Sequence, residues 1–339
     1  MNEPAVTVFI PAFNRAAYIG TAIQSVLRQG FKDFELLVVD DGSTDRTVEI
    51  VKTFDDRRVR LVCNDRNRGI PYTRNRGLDL AAGASIALMD SDDYMMPNRL
   101  ARQVRFLQSH PEVALVGGWL RRFDNAGNIR GFQTKPLVHD QLRVTLLFRT
   151  SHANTTLMGR TAVLREFRYS EAYPLAEDHD LFVRLSRVHR VANIPCVLSG
   201  QREHSGRITK AAGERLLENK FRLLGALLRE LGVAADPTDV ARHYRLTRVS
   251  EAELRSDPGY LDWAADWLRR LVEANERTGV YDRRALSSIA AIVWVETCAR
   301  AIAHVGVGRV WPHARAFPWL RGVAAFAAGN LAAATGIRR

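Results

Sequence analysis

Two hydrophobic periodicities alternate along the first 120 residues of the chain. Short apolar runs, such as residues 6–10 and 36–39, are followed by segments whose apolar residues recur at helical spacing, as at Ile19, Ile23 and Val26. Strands that are nearly all apolar and alternate with helices are typical of a parallel sheet covered on both faces. The pattern therefore predicts a doubly wound α/β fold with a mostly parallel sheet and helices on both faces.

The pattern changes after about residue 120. A turn at residues 125–128 predicts a hairpin, residues 177–188 a helix and residues 191–202 an extended segment. From about residue 210 to the end, the apolar spacing is almost wholly helical. We therefore predict two regions, an α/β domain over residues 1–208 and a basic helical region over residues 209–339.

Polar residues directly follow three of the predicted strands. These segments are residues 11–15, 40–45 and 90–93. In open α/β sheets, ligands bind beyond the carboxyl ends of the strands, near a switch in strand order. We therefore expect the three segments to lie on one edge of the sheet and to form the binding site.

The strongest chemical signal is the acidic segment at residues 90–93. Asp90, Asp92 and Asp93 repel one another unless a cation compensates their charge. Mg²⁺ takes one or two protein carboxylates together with water and substrate phosphates, and Mn²⁺ also accepts oxygen ligands. The alternative interpretation is an acidic loop before the helix that begins near Pro97.

Two further segments carry charges suited to a nucleotide. Asp40 and Asp41 project in different directions, so one carboxylate can face a nucleobase or ribose while the other holds the loop. Arg74, on the following predicted helix, could neutralise a diphosphate. Loop capping by the two acids and a solvated basic helix face are the alternatives.

A fourth signal opens the helix predicted at residues 177–188. Asp178 is a candidate general base for an acceptor hydroxyl, and His179 is expected to be an exposed neighbour. Acidic residues at the start of a helix are also stabilised by the helix dipole, which is the structural alternative.

The order of these signals over about residues 5–208 resembles the family 2 glycosyltransferases. Residues 8–14 (Val-Phe-Ile-Pro-Ala-Phe-Asn) and 38–45 (Val-Val-Asp-Asp-Gly-Ser-Thr-Asp) are similar to the opening signature of that family. The resemblance implies a GT-A-type fold and transfer of a sugar, with inversion, from a nucleotide-diphosphate donor to an acceptor hydroxyl. It also implies a role in the synthesis of cell-envelope or surface polysaccharide or glycolipid, on a carbohydrate or lipid-linked acceptor.

The resemblance also implies roles for individual residues. Asp178 would be the catalytic base and Asp92 the chief ligand of a divalent metal (Mg²⁺ or Mn²⁺), and His204 would help to bind this metal or the phosphate. The residues implied in donor binding are Pro11, Phe13, Asn14, Asp40, Asp41, Arg74, Asp90 and Ser91.

One departure from the family pattern is informative. The processive members carry a Gln-x-x-Arg-Trp motif and membrane-spanning helices, whereas here Gln201 is followed by Arg202, Glu203 and His204. We therefore expect a single transfer per binding event rather than polymer synthesis.

The charge is unevenly spread along the chain. The net charge is +12, and no acidic residue follows Glu296, although six arginines do. Such a bias suits anionic partners. One hypothesis is that the C-terminal region makes a peripheral contact with a membrane surface near a lipid-linked acceptor. The alternative is a helical subdomain that packs on itself or on a second subunit.

The cysteines and the apolar runs bear on the compartment. The three cysteines form no Cys-x-x-Cys pair, which favours a reducing environment over a disulfide framework. The amino terminus lacks the pattern of a signal peptide, and residues 285–303, the nearest to a spanning run, contain Glu296 and Arg300. We expect a cytoplasmic protein that works at the inner face of the membrane if the peripheral contact exists.

Two other functions compete with glycosyl transfer. A sugar-nucleotide nucleotidyltransferase would be expected to carry a glycine-rich phosphate loop after the first strand, and residues 11–15 contain no glycine. A non-enzymatic nucleic-acid binder would suit the net charge of +12. However, the acidic residues cluster at the predicted cleft, where they would repel a phosphate backbone, so no nucleic-acid partner is expected.

Overall fold

The structure is a computed structural model that describes residues 3–204, 213–314 and 318–335. The chain divides into two compact units. The first unit comprises Met1–Leu137 and Ser151–Leu216, and the second comprises Val138–Thr150 and Leu217–Arg339. The boundary predicted near residue 208 falls outside the described residues, so it stays a prediction.

The first unit contains the strands, numbered β1 to β9 along the chain. They are Val6–Ala12, Phe34–Asp40, Val59–Cys63, Ser85–Leu88, Tyr94–Met95, Val113–Asp124, Ile129–Gln133, Met158–Arg160 and Arg190–Glu203. Helices α1 to α4, α6 and α7 also belong to this unit. They are Ile19–Leu27, Thr47–Lys52, Ile70–Leu80, Arg99–Ser109, Thr161–Phe167 and Glu177–Val188. A single 3₁₀ turn spans Asn154–Thr156.

The described strands form one nine-stranded sheet in the order β3-β2-β1-β4-β8-β6-β9-β5, with β7 paired to β6. Strands β3, β2, β1 and β4 are parallel, as their apolar composition predicts. The register aligns Ala12 with Asp40 and Phe9 with Leu88, so these strands end at the same edge. Apolar side chains of β1, β2 and β4, including Ile10 and Val38, are buried in the core, whereas those of the edge strand β3 are only partly buried.

The remaining strands make the sheet mixed. Strand β8 is antiparallel to β4 and β6, while β9 runs parallel to β6 from Val113 opposite Arg190 to Asp124 opposite Glu203. The predicted hairpin at residues 125–128 joins β6 to β7. The α/β class is confirmed. The sequence pattern did not predict β5 or β8, because two or three residues are too few to show a period.

Two glycines of the first unit allow close approaches that no other residue would permit. Gly77 of α3 lies against the ring of Phe9, and a Cβ atom there would overlap the ring. Gly83 lies against the backbone of Val6 and Thr7, and its N–H donates a hydrogen bond of 2.8 Å to the Thr7 hydroxyl. A Cβ atom at Gly83 would overlap backbone atoms, which cannot rotate away as a side chain can.

The second unit is helical in its described residues, as predicted. Helix α5 spans His139–Thr145, and helices α8 to α14 follow. They are Gly213–Glu230, Pro237–Arg245, Glu251–Ser256, Tyr260–Thr278, Arg283–Val305, Val307–Val310 and Trp319–Thr335.

A buried histidine of the second unit, His243, is hydrogen-bonded through both of its ring nitrogens. The Nε2 atom of His243 lies 2.6 Å from the carbonyl oxygen of Leu147, and the indole N–H of Trp267 donates to His243 Nδ1 at 2.9 Å. Because Nδ1 must accept, the ring is neutral and carries its proton on Nε2. Burial lowers the pKa of His243 to about 4.

Helix α12, Arg283–Val305, is long and apolar enough to cross a membrane by length and composition alone. Its apolar window is 56% buried inside the protein. Glu296 on this helix forms two hydrogen bonds with the Arg149 guanidinium, at 2.6 and 2.8 Å. These contacts are those of a core helix of the second unit.

Candidate active site at the carboxyl edge of the sheet

The loops that follow β1 and β2 are hydrogen-bonded to each other. The Asn14 N–H donates to the Ser43 hydroxyl at 2.9 Å, and the Asn14 side-chain oxygen accepts from the Thr44 N–H at 2.8 Å. Asn14 has a φ of 51°, a left-handed conformation that asparagine tolerates better than most residues. Two of the three predicted segments therefore meet at one edge. Pro11 and Phe13, in the same segment, are half-buried there.

Asp40 and Asp41 of the second segment both stabilise loops. Asp40 is buried, and its carboxylate accepts hydrogen bonds from the N–H (2.8 Å) and the hydroxyl of Ser43. Asp41 accepts from the Asn64 amide at 2.6 Å and from the backbone N–H groups of Arg68 and Gly69, each at 2.9 Å. One of these two acids was expected to hold the loop, and both do so. The contact of Asp40 with a nucleobase stays a prediction.

Asp92 lies between two positively charged or chargeable groups. Its Oδ2 atom is 2.9 Å from His204 Nε2 and 3.8 Å from Arg15 Nε. His204 is buried, and its ring packs against Tyr18 with centroids 4.7 Å apart. The structure thus brings together Asp92 and His204, which are 112 positions apart in the chain.

The other acids of this segment differ in environment. Asp93 is buried, and one of its oxygens accepts from the Arg202 N–H at 2.9 Å. Burial, together with the negative charges of Asp90 and Asp92, raises the pKa of Asp93 well above its ordinary value. Asp90 is half-buried with an oxygen 3.8 Å from Arg74, and the neighbouring Ser91 is buried. Asp93 therefore resists carrying a charge, whereas Asp92 keeps 16% of its side chain exposed at the edge.

Arg74 is a buried cation between two acidic segments. It forms an ion pair with Glu177, lies 3.8 Å from Asp90, and places its guanidinium carbon 5.2 Å from the centre of the Tyr169 ring. Burial alone would lower the pKa of Arg74, but the charge of Glu177 and the other carboxylates raises it above its ordinary value. Sequence reasoning selected Arg74 but not Glu177, the first residue of α7.

Asp178 follows Glu177 in the first turn of α7. It is half-buried, and its Oδ1 atom accepts a hydrogen bond of 2.6 Å from the His179 N–H. Its negative charge raises the pKa of both Arg74 and Tyr169. The candidate base is therefore part of the cluster of charged residues around the Arg74–Glu177 ion pair. The expectation that His179 is exposed was wrong: only 1% of this residue is exposed, because it lies on the inner face of α7.

A further residue that the sequence did not single out is Arg99, at the start of α4. Arg99 is fully buried, and its guanidinium donates to the carbonyl oxygens of Leu88 (2.8 Å), Thr155 (2.6 Å) and Leu157 (2.9 Å) and to the Ser199 hydroxyl (3.0 Å). Burial lowers the pKa of Arg99 to about 9, and Asp90 and Asp93 act in the opposite direction. The guanidinium therefore joins the end of β4 to β8 and β9 directly beneath the acidic segment.

A divalent cation fits the chemistry of Asp92 and His204. A carboxylate oxygen and an imidazole nitrogen are both ligands of divalent metals such as Mn²⁺, while Mg²⁺ prefers the oxygen. Among the described residues, no three His, Cys, Asp or Glu side chains converge as a preformed metal cage. The donor set therefore suits a cation that completes its coordination with water and substrate phosphates.

Comparison with known proteins connects this site to one family. The sequence model described as Glycosyl transferase family 2 matches residues 7–167. An uncharacterized glycosyltransferase of Haemophilus influenzae is 31% identical over 215 residues, which cover 60% of this chain and 67% of that protein. The Escherichia coli UDP-Glc:alpha-D-GlcNAc-diphosphoundecaprenol beta-1,3-glucosyltransferase WfgD is 37% identical over 119 residues, 35% of this chain and 47% of WfgD.

A solved structure shares the fold. The mannosyltransferase PcManGT from Pyrobaculum calidifontis, in complex with GDP-Man and Mn²⁺, is similar with a TM-score of 0.53 and 18% sequence identity. The match covers 98% of this chain and 88% of that chain. The predicted GT-A-type fold is therefore confirmed. The family model and the sequence relatives favour glycosyl transfer over the two competing functions. The chain is a glycosyltransferase and belongs to glycosyl transferase family 2.

Proposed function

We propose that the chain transfers a sugar, with inversion, from a nucleotide-diphosphate donor to an acceptor hydroxyl with the help of a divalent metal. The observation that carries this proposal is the gathering of charged residues at one edge of the sheet. Asp92 contacts His204 at 2.9 Å, and the buried Arg74 lies 3.8 Å from Asp90 and next to Asp178.

The donor would bind along the loops that follow β1, β2 and β4. We assign to donor binding Pro11, Phe13, Asn14, Asp40, Asp41, Arg74, Asp90 and Ser91. Because Asn14 and Asp41 already hold the loops in place, their contribution would be to keep the backbone of the nucleotide site rigid. Arg74, whose charge is fixed by Glu177, would attract the diphosphate.

Asp92 and His204 would hold the metal, Mg²⁺ or Mn²⁺, which when bound offsets the charge that grows on the departing diphosphate. The Arg15 guanidinium, 3.8 Å from Asp92, would add a second positive charge on the same side. The Mn²⁺ in the complex of PcManGT supports a metal of this class.

Asp178 would take the proton from the acceptor hydroxyl as that oxygen attacks the anomeric carbon. The hydrogen bond from the His179 N–H fixes the orientation of this carboxylate at the start of α7. A single displacement inverts the configuration at the anomeric carbon. The name of WfgD, a beta-glucosyltransferase that uses UDP-Glc, fits a transferase of this type.

The acceptor would be a carbohydrate or lipid-linked sugar used in cell-envelope or surface polysaccharide or glycolipid synthesis. WfgD is named for a diphosphoundecaprenol-linked acceptor, which supports a lipid-linked substrate. We assign the enzyme to the cytoplasm, with a peripheral contact at the inner face of the membrane through the C-terminal region of residues 209–339.

A donor screen tests the function. Release of free nucleoside diphosphate is measured across a panel of sugar nucleotides, with Mn²⁺, with Mg²⁺ and with a chelator. We expect release from one donor class, in the presence of metal only. No release from any sugar nucleotide would overturn the proposed function.

Two substitutions separate the proposed base from the proposed metal ligand. Asp178→Asn should lower kcat by about 10²–10⁴-fold and leave calorimetric donor affinity unchanged, because the general base acts only in the transfer step. Asp92→Ala should weaken donor binding in the presence of Mn²⁺ and leave metal-free binding unchanged. The exposed Asp79→Asn serves as the control. Near wild-type activity in Asp178→Asn would rule out the base assignment.

A further inference from the structure

Helix α14 in the second unit departs from the usual surface-helix pattern because it exposes both of its leucines. Its buried Gly322 lies against Ala291 and the carbonyl oxygen of Ser287 on α12, and a Cβ atom at Gly322 would overlap both. By contrast, the outward-facing Leu320 and Leu331 are 69% and 66% exposed. A helix that serves only to cover a core buries its leucines and exposes polar residues. The two leucines of α14 therefore point away from the unit that carries it, while Trp319, Val323 and Phe326 are half-buried.

The exposed apolar residues form one continuous stripe, which we call the α14 outer face. It consists of Leu320, Ala324, Ala327, Leu331 and Ala334, all of them exposed. Their spacing of three and four positions places them on a single side of the helix, over a length of roughly 21 Å. The sequence contains no charged residue from position 322 to position 335, so nothing interrupts the stripe.

Arginines flank this face along the chain, while the exposed Asp140 lies beside Gln141, which accepts a hydrogen bond from Asn330 of α14. Arg321 is exposed at the first turn of α14, and Arg300 and Arg309 are exposed on the two preceding helices. No acidic residue follows Glu296 in the sequence. Arg315, Arg338 and Arg339 lie outside the described residues. An apolar stripe beside arginines complements a surface that offers both acyl chains and negative head groups.

A second copy of the chain fits this face less well than a bilayer does. A stable protein interface uses about 20–30 residues from each partner, whereas the outer face has five. Two copies that paired through it in parallel would also bring their Arg321 side chains into proximity, and like charges repel. A bilayer requires neither a large area nor a matching set of charges.

We propose that the α14 outer face inserts into the head-group region of a membrane that contains anionic lipid, with Arg321 at the phosphate level. This inference rests on the peripheral location in the proposed function and gives it a defined surface. It depends on none of the catalytic assignments. Lipid binding tests it, while transfer to a soluble acceptor tests the proposed function, so either can fail alone.

The experiment measures flotation of the full chain with phosphatidylcholine vesicles, with and without phosphatidylserine. We expect binding that requires phosphatidylserine and weakens with salt. The double variant Leu320→Gln/Leu331→Gln should bind at least about tenfold more weakly, because two leucines no longer leave water. Arg321→Gln should bind about fivefold more weakly. The matched control is Val188→Gln, since Val188 is 71% exposed on α7 in the first unit.

The variants change exposed positions, so circular dichroism and transfer to a soluble acceptor should match those of the wild-type chain. Equal flotation of the double variant and the wild type, or no flotation of the wild type, would overturn the proposal. A wild-type dimer that the double variant converts to a monomer would assign the face to a second copy instead.

Discussion

The ion pair between Arg74 and Glu177 allows a direct test of how burial changes the contribution of an ion pair to the free energy of unfolding. Side-chain exposure is 8% for Arg74 and 5% for Glu177. A second arginine–carboxylate pair in the same unit, Arg168 with Asp79, has exposures of 44% and 53%. Both pairs join distant parts of the chain. The substitutions Glu177→Gln and Asp79→Asn therefore make the same chemical change in two different environments.

The expected magnitudes differ because of desolvation. Removing one charge from a buried pair typically costs about 3–5 kcal/mol, since the other charge stays out of water without its partner. In Glu177→Gln the amide oxygen can still accept a hydrogen bond, and Asp90 remains 3.8 Å from Arg74. We therefore expect a loss near the lower limit, about 3 kcal/mol. Exposed pairs contribute about 0–1 kcal/mol, so Asp79→Asn should change the stability by less than about 1 kcal/mol.

Urea unfolding and scanning calorimetry measure both variants. At roughly 2–4 °C per kcal/mol for a unit of this size, Glu177→Gln should lower the Tm of the first unit by about 6–12 °C. Asp79→Asn should leave it nearly unchanged. Equal losses in the two variants, or a loss below about 1 kcal/mol for Glu177→Gln, would refute the argument that Arg74 depends on Glu177 for its charge.

Two further predictions concern stability. Burial holds the pKa of His243 at about 4, below its ordinary value of 6.5, so between these pH values the unfolded chain binds a proton that the folded chain does not. Acidification through this range should therefore destabilise the second unit by up to about 3 kcal/mol. Urea titrations at pH 7 and pH 5 should show about 2 kcal/mol of this loss in the exposed control His304→Gln and none of it in His243→Gln. Gly83→Ala should cost roughly 2 kcal/mol or more through backbone overlap. Gly20→Ala, which meets only ordinary contact in α1, should stabilise the first unit by up to about 1 kcal/mol in the same assay.

Local pattern explains why much of the fold was predictable. Strands β1, β2 and β4 are each bounded by turn-forming or polar residues, and their parallel arrangement follows from the helices between them. That their polar ends share an edge is a geometric consequence of parallel pairing. The Asn14 contacts with Ser43 and Thr44 agree with that expectation.

The missed residues depend on contacts between distant parts of the chain. Arg99 reads in the sequence as an ordinary cation at the start of a helix, but Ser199, to which it donates, is 100 positions away. Glu177 reads as a helix-dipole acid until Arg74 is found beside it, 103 positions upstream. His179 was misjudged although the apolar Phe182 and Val183, three and four positions later, mark the buried face of α7 on which it lies. For Arg99 and Glu177, by contrast, local propensity carries no information about the placement.

The pairing of β9 with β6 has a consequence for insertions and deletions. Strand β9 leads from α7, which carries Asp178, to His204 beside Asp92. Its pairing with β6 is irregular near Val113 and between Gly118 and Leu120, and regular from Ser199 to Glu203. One residue added within this regular stretch would move His204 by about 3.3 Å and reverse the side to which its side chain points. The exposed turn at residues 125–128 has no such constraint. Loop grafting and chimaera construction should therefore place their junctions in that turn and transfer β9 only as a whole.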